Sequence, residues 1–159
     1  MLKIKIIAMG KMTERPLKEM AEEYIKRLGR YYSVSVIEPK PENLPQNPSE
    51  AEIARVLEVE AEKILSEISP RSYVCAMCVE GGSMSSPELA RLIEQKSGVA
   101  SEICFIIGSS HGMAETVKKR ADKRLSVSAM TFPHELFRVM LLEQIYRAAE
   151  INAGSRYHK

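Results

Sequence analysis

The chain has 159 residues and a formal net charge of +2; 45% of its residues are hydrophobic and 28% are charged. This composition is typical of one globular domain with a single core, and the net charge neither requires nor excludes a nucleic-acid partner. No apolar run approaches the roughly 20 residues of a membrane span, no signal peptide is recognisable, and three cysteines fit a reducing compartment, so a cytoplasmic location is expected.

The first half of the chain predicts two strands and two helices. Residues 2–8 alternate as a strand, residues 16–28 have helical apolar spacing that Gly29 ends, and residues 31–37 alternate again. Four prolines within residues 39–48 predict an exposed, mobile loop, called here the proline loop. A long helix to about residue 68 should follow, because Ser49 and Glu52 have the spacing of a capping box.

The second half predicts three strands and three helices in alternation. The strands are residues 73–79, 103–107 and 125–127, and the helices are residues 87–95, about 114–120, and 135 to about 151. Pro133 stands where the first turn of the last helix is expected. The whole pattern predicts one α/β domain over residues 1–159, with a mostly parallel sheet of about five strands flanked by helices.

The cysteines are interpreted as structural. Cys75 and Cys78 form a CxxC within a predicted buried strand, where residues three apart point to opposite faces. A second CxxC or a Cys/His partner pair is absent from the sequence, so no metal site is predicted. Cys104, in the next apolar strand, is also expected in the core.

Three neighbouring strand ends carry small residues, and ligands of parallel sheets bind at such ends. These segments are residues 80–86, 108–112 and 128–131. Neither a Walker loop nor GxGxxG follows the first strand, which argues against nucleoside triphosphates and the usual dinucleotide arrangement. Spacing alone leaves three ordinary tight turns as an equal alternative.

Two features of the C-terminal half suggest partners. Five positive residues lie within seven positions and form either a phosphate-contact patch or a solvated helix face: Lys118, Lys119, Arg120, Lys123 and Arg124. The last helix is apolar around much of its circumference, so one side needs cover beyond the sheet. Arg138 lies opposite its polar stripe, either extending along apolar surface to solvent or placed at a subunit interface or over RNA phosphate.

Several segments together resemble the ribosomal large-subunit pseudouridine N3-methyltransferases of the knotted SPOUT superfamily. The segments are residues 105–108, residues 128–134, residues 138–148 and the closing Tyr157-His158-Lys159 (the tail, residues 157–159). The resemblance covers essentially the whole chain. It implies a deep trefoil knot at about residues 103–159, S-adenosylmethionine as methyl donor, a homodimer in which one subunit's tail completes the partner's site, and 23S RNA in the assembled 70S ribosome as substrate.

The resemblance also implies site residues. The cofactor contacts carried over are Met77, Gly108, Val127, Ser128, Ala129, Met130, Thr131 and Phe132. The expected catalytic group is His158 near the pseudouridine nitrogen, with Tyr157 stacking or hydrogen-bonding and Lys159 and Arg138 supplying positive charge. His134 is expected to fix the bend at Phe132-Pro133.

Three positions depart from the family pattern. Ser109 replaces a second glycine, Cys78 stands where relatives tend to have an acidic residue, and Gly82 stands where they tend to have lysine; Glu80 is a candidate substitute for the missing carboxylate. Two alternatives therefore stay open. One is a knotted methyltransferase acting on tRNA or a ribose 2′-hydroxyl, and the other is a catalytically silent ribosome-binding module.

Overall fold

The computed structural model describes all residues from 1 to 159, as five strands alternating with five helices. The strands are β1 (Lys3–Ala8), β2 (Ser33–Ile37), β3 (Ser72–Ser83), β4 (Glu102–Ile107) and β5 (Lys123–Ser126). The helices are α1 (Arg15–Leu28), α2 (Glu50–Ser66), α3 (Ser86–Ser97), α4 (Glu115–Arg120) and α5 (His134–Asn152).

One sheet joins all five strands in the order β2-β1-β4-β3-β5, and every neighbouring pair is parallel. All six residues of β4, the central strand, are buried, as expected for a strand covered on both faces. This confirms the predicted α/β class with its five-stranded parallel sheet. The chain threading of the implied knot stays a prediction.

Two apolar layers cover the two faces of the sheet. On one face α1, α3 and α5 pack over 21 buried residues that include Ile6, Phe105 and Leu142. On the other, α2 and α4 pack over a smaller cluster of 11 buried residues that includes Ile7 and Ile106. None of the five helices combines the length and apolar character that crossing a bilayer requires.

The N-termini of three helices can be compared with the caps predicted from the sequence. Ser49 Oγ accepts the Glu52 amide at 3.1 Å and Glu52 Oε1 accepts the Ser49 amide at 3.2 Å, which confirms the predicted capping box. Ser85 and Glu88 have the same S-x-x-E spacing and form a second capping box, at the start of α3, which the sequence analysis does not predict. Pro133 occupies the N-cap of α5 rather than its first turn, and its carbonyl accepts the Phe137 amide at 2.9 Å.

Strand β3 is longer than the sequence predicts. The glycines at positions 81 and 82 suggest a turn, but β3 continues to Ser83 because its pairing with β5 shifts register. Both Met77 and Gly82 pair with Leu125, so β3 bulges between them. The predicted loop at residues 80–86 is therefore strand up to residue 83.

The first residues of the proline loop are hydrogen-bonded to distant parts of the chain. Pro39 carbonyl accepts the Gly10 amide at 2.8 Å, and Lys63 Nζ donates to Lys40 carbonyl at 2.8 Å. Lys63 also pairs with Glu42 at 2.6 Å. These partners lie far along the chain, so local composition could not reveal them.

Candidate functional site

A cavity of about 220 Å³ opens at the carboxyl ends of β3, β4 and β5, and is called here the strand-end pocket. Its strand residues are Met77, Cys78, Val79 and Glu80 from β3, Ile107 from β4, and Leu125 and Ser126 from β5. Two loops supply much of the remaining wall, through Ser109, Ser110, Gly112 and Met113 after β4 and Val127, Ser128, Met130, Thr131 and Phe132 after β5. Parallel sheets bind ligands at this edge, so the pocket is the candidate site.

Six of the eight residues expected at a cofactor line this pocket: Met77, Val127, Ser128, Met130, Thr131 and Phe132. The two others, Gly108 and Ala129, lie next to lining residues in the chain without lining the pocket themselves. The structure thus brings residues from β3 and from the loop after β5 together, as the resemblance implied.

Gly108 shapes the pocket wall instead of facing the cavity. A Cβ at this position would lie 2.3 Å from the Gly112 carbonyl oxygen and 2.6 Å from its carbon, so only glycine fits. The Ser109 amide donates to Gly112 carbonyl at 3.0 Å, and the Gly112 amide donates back to Ser109 carbonyl at 2.8 Å. This tight loop places Ser109, Ser110 and Gly112 in the wall.

Ser109, one of the departures from the family pattern, has a structural partner. Its hydroxyl donates to Glu60 Oε1 at 2.8 Å, and Glu60 is only 2% exposed on α2. Glu60 Oε2 accepts the Glu42 amide at 3.1 Å. One buried carboxylate therefore connects the pocket wall to the proline loop, so the serine is compatible with an ordered site.

Glu80 and Lys118 form an ion pair at the rim of the pocket, joining β3 to α4. Their hydrogen bond is the main cause that lowers the pKa of the Glu80 carboxyl below its usual range. Both residues line the pocket. The sequence placed Glu80 in the strand-end segment of residues 80–86, as a candidate substitute carboxylate, and placed Lys118 only in a basic patch.

The three cysteines divide between core and pocket. Cys75 and Cys104 are fully buried, and burial raises the pKa of each thiol to about 12. Cys78 is half-buried and lines the pocket, which corrects its assignment to the core. Burial and then nearby Glu80 raise the pKa of the Cys78 thiol. No group of three or more His, Cys, Asp or Glu residues is arranged to hold a metal ion.

The adjacent glycines of β3 differ sharply in the space around them. A Cβ on Gly81 would lie 2.7 Å from the Leu125 amide nitrogen, whereas a Cβ on Gly82 meets nothing closer than Arg124 carbonyl oxygen at 4.0 Å. Position 82 therefore has room for the lysine that the family pattern favours.

We expect Gly82→Lys to change the free energy of unfolding by no more than about 0.5 kcal/mol, as for other surface substitutions. Gly81→Ala should destabilise by about 1–3 kcal/mol, because its methyl group overlaps backbone that cannot move aside cheaply. Urea unfolding of both variants measures this difference. Equal losses at the two positions would contradict the distinction between them.

The tail does not reach the strand-end pocket of its own chain but folds back onto α5. Tyr157 packs edge-on against Tyr146 with ring centroids 5.0 Å apart, and its hydroxyl donates to Glu143 Oε1 at 3.2 Å. Arg147 lies 4.8 Å above the Tyr157 ring and 3.4 Å from His158 Nδ1. Burial and Glu143 raise the pKa of Tyr157 to about 12. Lys159 is exposed.

Arg138 is also away from the pocket, and it is 6% exposed. Its guanidinium pairs with Glu38, just after β2, and donates to Gly10 carbonyl at 2.8 Å, just after β1. Its Nε is buried without a partner. Neither sequence alternative describes this arrangement, because the guanidinium does not extend to solvent and its partners belong to the same chain.

His134 does not hold the bend at Phe132-Pro133. It is exposed, makes no hydrogen bond, and lines the strand-end pocket. The structure therefore gives the side chain no contact that would fix the bend, and places it in the wall of the strand-end pocket.

The five-residue basic segment is mostly engaged within the protein. Lys118 pairs with Glu80, Arg120 with Asp122, and Arg124 with Glu115. Only Lys119 and Lys123 have no acidic partner. A phosphate patch made of all five charges is thus reduced to these two.

A second cavity of about 510 Å³ lies between α1, α3 and α5 and is called here the helical groove. Exposed apolar side chains line it, with Met20 48% exposed on α1 and Leu136 36% exposed on α5. It shares Met77, Leu125, Ser126 and Val127 with the strand-end pocket. The apolar side of α5 that needed additional cover opens onto this groove.

Residues 2–158 match the profile of a family described as predicted SPOUT methyltransferase. The chain is 47% identical to the ribosomal RNA large subunit methyltransferase H of Carboxydothermus hydrogenoformans, over 99% of this chain and 100% of that protein. Proteins of the same name are 45% identical in Streptococcus thermophilus and 46% identical in Clostridium botulinum, with the same coverage.

Solved structures resemble the fold at much lower identity. A probable methyltransferase from Bordetella pertussis superposes with a TM-score of 0.57 at 13% identity, over 93% of this chain and 95% of that one. A probable methylase family protein from Haemophilus influenzae gives 0.56 at 13% identity, over 98% of this chain and 70% of that one. Both support the fold.

Proposed function

Because this chain belongs to the SPOUT methyltransferases, and to the ribosomal RNA large subunit methyltransferase H group within them, we propose that it methylates N3 of a pseudouridine in 23S ribosomal RNA. The methyl donor is S-adenosylmethionine, and the substrate is the assembled 70S ribosome in the cytoplasm. The observation that carries the proposal is the strand-end pocket, lined by six of the eight residues expected around that cofactor.

The pocket has the character that an adenosyl group requires. Its wall offers apolar side chains such as Met77, Met130 and Phe132 to flank a ring. Its loops offer backbone groups and the small side chains of Ser128 and Thr131 for hydrogen bonds. Because position 108 is a glycine, the loop around Gly112 can pack tightly at the other side of the pocket. When bound there, the cofactor supplies an electrophilic methyl group.

The tail supplies the groups that handle the pseudouridine. N3 must lose its proton, so the protein has to accept that proton and stabilise the charge that develops on the base. Tyr157, with its pKa raised to about 12, stays a neutral phenol at physiological pH and is suited to donate a hydrogen bond or stack. His158 is then the tail's candidate proton acceptor.

A homodimer reconciles the separation of tail and pocket within one chain. The tail lines no part of its own strand-end pocket, so the site requires a tail from another subunit. The helical groove, with exposed Met20 and Leu136, is the apolar surface that such a partner covers. Lys159 supplies positive charge directly, whereas Arg138, paired with Glu38, holds α5 against the ends of β1 and β2.

The substrate is read by shape more than by charge. Of five clustered positive residues, only Lys119 and Lys123 are free to contact phosphate. The net charge of +2 is small for a protein that grips long RNA without regard to its fold. A folded ribosomal site fits these properties better than free single-stranded RNA does.

The test is transfer of labelled methyl from S-adenosylmethionine to 70S ribosomes that lack the modification. Free subunits, transfer RNA, and ribosomes with uridine at the target run beside them as controls. We expect label only in large-subunit RNA of pseudouridylated 70S ribosomes. Label in transfer RNA, or on a ribose, would move the protein to another knotted methyltransferase class, and absence of cofactor binding would identify a silent ribosome-binding module.

A further inference from the structure

Of the 19 residues that line the strand-end pocket, only Glu80 and Lys118 belong to the fully charged residue types. They come from different elements, β3 and α4, and they pair with each other at the pocket rim. The rest of the lining is apolar or carries uncharged hydroxyl, thiol, imidazole and backbone groups. Opposite charges are therefore concentrated at one part of an otherwise uncharged cavity.

The two side chains differ in exposure in a way that suits a ligand. The Lys118 side chain is 18% exposed and the Glu80 side chain is 53% exposed. An ion pair with one partner this exposed contributes little to folding, so a ligand can separate it at small cost. Lys118 offers an ammonium already partly removed from water, and Glu80 offers a carboxylate that a ligand cation can reach.

A zwitterion matches this pair better than a single charge does. A ligand with only an anionic group could pair with Lys118, but Glu80 would then lose its partner or lie beside a like charge. A ligand with only a cationic group would leave Lys118 in the same position. An ammonium against Glu80 and a carboxylate against Lys118 give each side chain a new opposite charge when their own contact opens.

We propose that Glu80 and Lys118 bind the α-amino-acid end of the S-adenosyl ligand, with Glu80 contacting its ammonium and Lys118 its carboxylate. This inference rests on the proposed function, because it assumes that an S-adenosyl compound occupies the pocket. It assigns specificity for the amino-acid end to residues outside the eight carried over from the family. The uncharged remainder of the pocket is left for the adenosine.

The competing explanation is that the ion pair has only a structural role, joining β3 to α4. Loss of a purely structural ion pair would change the free energy of unfolding and would change the affinity of every ligand of the pocket equally. Discrimination between ligands with and without an amino-acid end separates the two explanations.

Calorimetric binding of S-adenosylhomocysteine and of 5′-methylthioadenosine to the full-length protein provides this test, since the second compound lacks the amino-acid end. Glu80→Gln and Lys118→Met should each weaken S-adenosylhomocysteine binding about tenfold, the size expected for one partly exposed charge-assisted hydrogen bond, and leave methylthioadenosine within about twofold. Glu115→Gln and Lys119→Met, exposed positions on α4 that do not line the pocket, are matched controls. Thermal unfolding verifies that all four variants are folded.

The unaltered protein gives an independent measurement that needs no variant to fold. It should bind S-adenosylhomocysteine at least about tenfold more tightly than methylthioadenosine, and salt should reduce this advantage. Equal weakening of both ligands in the variants, or equal affinities in the unaltered protein, would overturn this inference and leave the cofactor pocket standing. Failure of the unaltered protein to bind either compound would overturn the proposed function together with it.

Discussion

Replacing His158 by alanine is expected to lower the rate of methyl transfer to ribosomes by about 100-fold or more, the contribution typical of a positioned acid or base. The variant should remain folded and should bind S-adenosylhomocysteine as the unaltered protein does. His158 is exposed and its recorded contact is the 3.4 Å approach of Arg147, so its removal disturbs no core packing. Single-turnover assays with 70S ribosomes measure the loss.

His111→Ala is the matched control for this prediction. His111 is also exposed, does not line the strand-end pocket, and should leave the rate unchanged. Tyr157→Phe keeps the ring that packs on Tyr146 and removes only the hydroxyl that donates to Glu143. Full activity of the His158 variant would exclude His158 as the proton acceptor.

Mixed dimers test whether the tail acts on the partner's pocket. Met130→Trp fills the pocket from an exposed loop position, and His158→Ala inactivates the tail. Each variant alone is expected to be inactive. In a mixed dimer, one intact pocket meets one intact tail only if the tail acts across the subunits. Recovered activity on mixing therefore supports the homodimeric site, and no recovery contradicts it.

Gly108→Ala is expected to abolish detectable binding of S-adenosylhomocysteine. The added methyl group would lie 2.3 Å from Gly112 carbonyl oxygen and 2.6 Å from its carbon, and these backbone atoms cannot move aside cheaply. The loop that carries Ser109, Ser110 and Gly112 has to open, and the pocket wall moves with it. Overpacking of this kind also costs about 1–3 kcal/mol of stability. Calorimetry and urea unfolding measure the two effects.

The control for this change is Gly98→Ala at the C-cap of α3. No heavy atom lies within 4 Å of a Cβ built at Gly98, and its φ of −90° suits any L-residue. Its binding and stability should match those of the unaltered protein. Normal cofactor affinity in the Gly108 variant would show that the wall loop does not define the pocket.

Much of the fold follows from local patterns because periodicity and caps are local properties. The alternation of β1, the capping box at Ser49 and the apolar run of β4 from Ile103 to Ile107 could each be recognised from a few neighbouring residues. The extension of β3 could not, because the bulge that lets Gly82 pair with Leu125 depends on a strand 40 residues away. The tethering of the proline loop by Lys63 and Glu60 is likewise set by tertiary contacts.

Only part of the candidate site could be predicted, because some of its contacts join residues far apart in the sequence. Resemblance placed Met77 and the loop after β5 together, and the structure has them in one pocket. The pairing of Glu80 with Lys118, and of Arg138 with Glu38, joins residues 38 and 100 positions apart. The sequence shows which of these residues carry charge, but it does not show which of them form pairs. Only the assembled sheet brings these side chains together.

The wall shared by the strand-end pocket and the helical groove would link the proposed cofactor and the proposed partner subunit thermodynamically. Met77, Leu125, Ser126 and Val127 face both cavities, so a shift of this wall when one is filled changes the shape of the other. Reciprocity then requires that any factor by which the cofactor strengthens subunit association equals the factor by which association strengthens cofactor binding. The apparent affinity for the cofactor should accordingly depend on protein concentration, reaching its limit only where the subunits are fully associated.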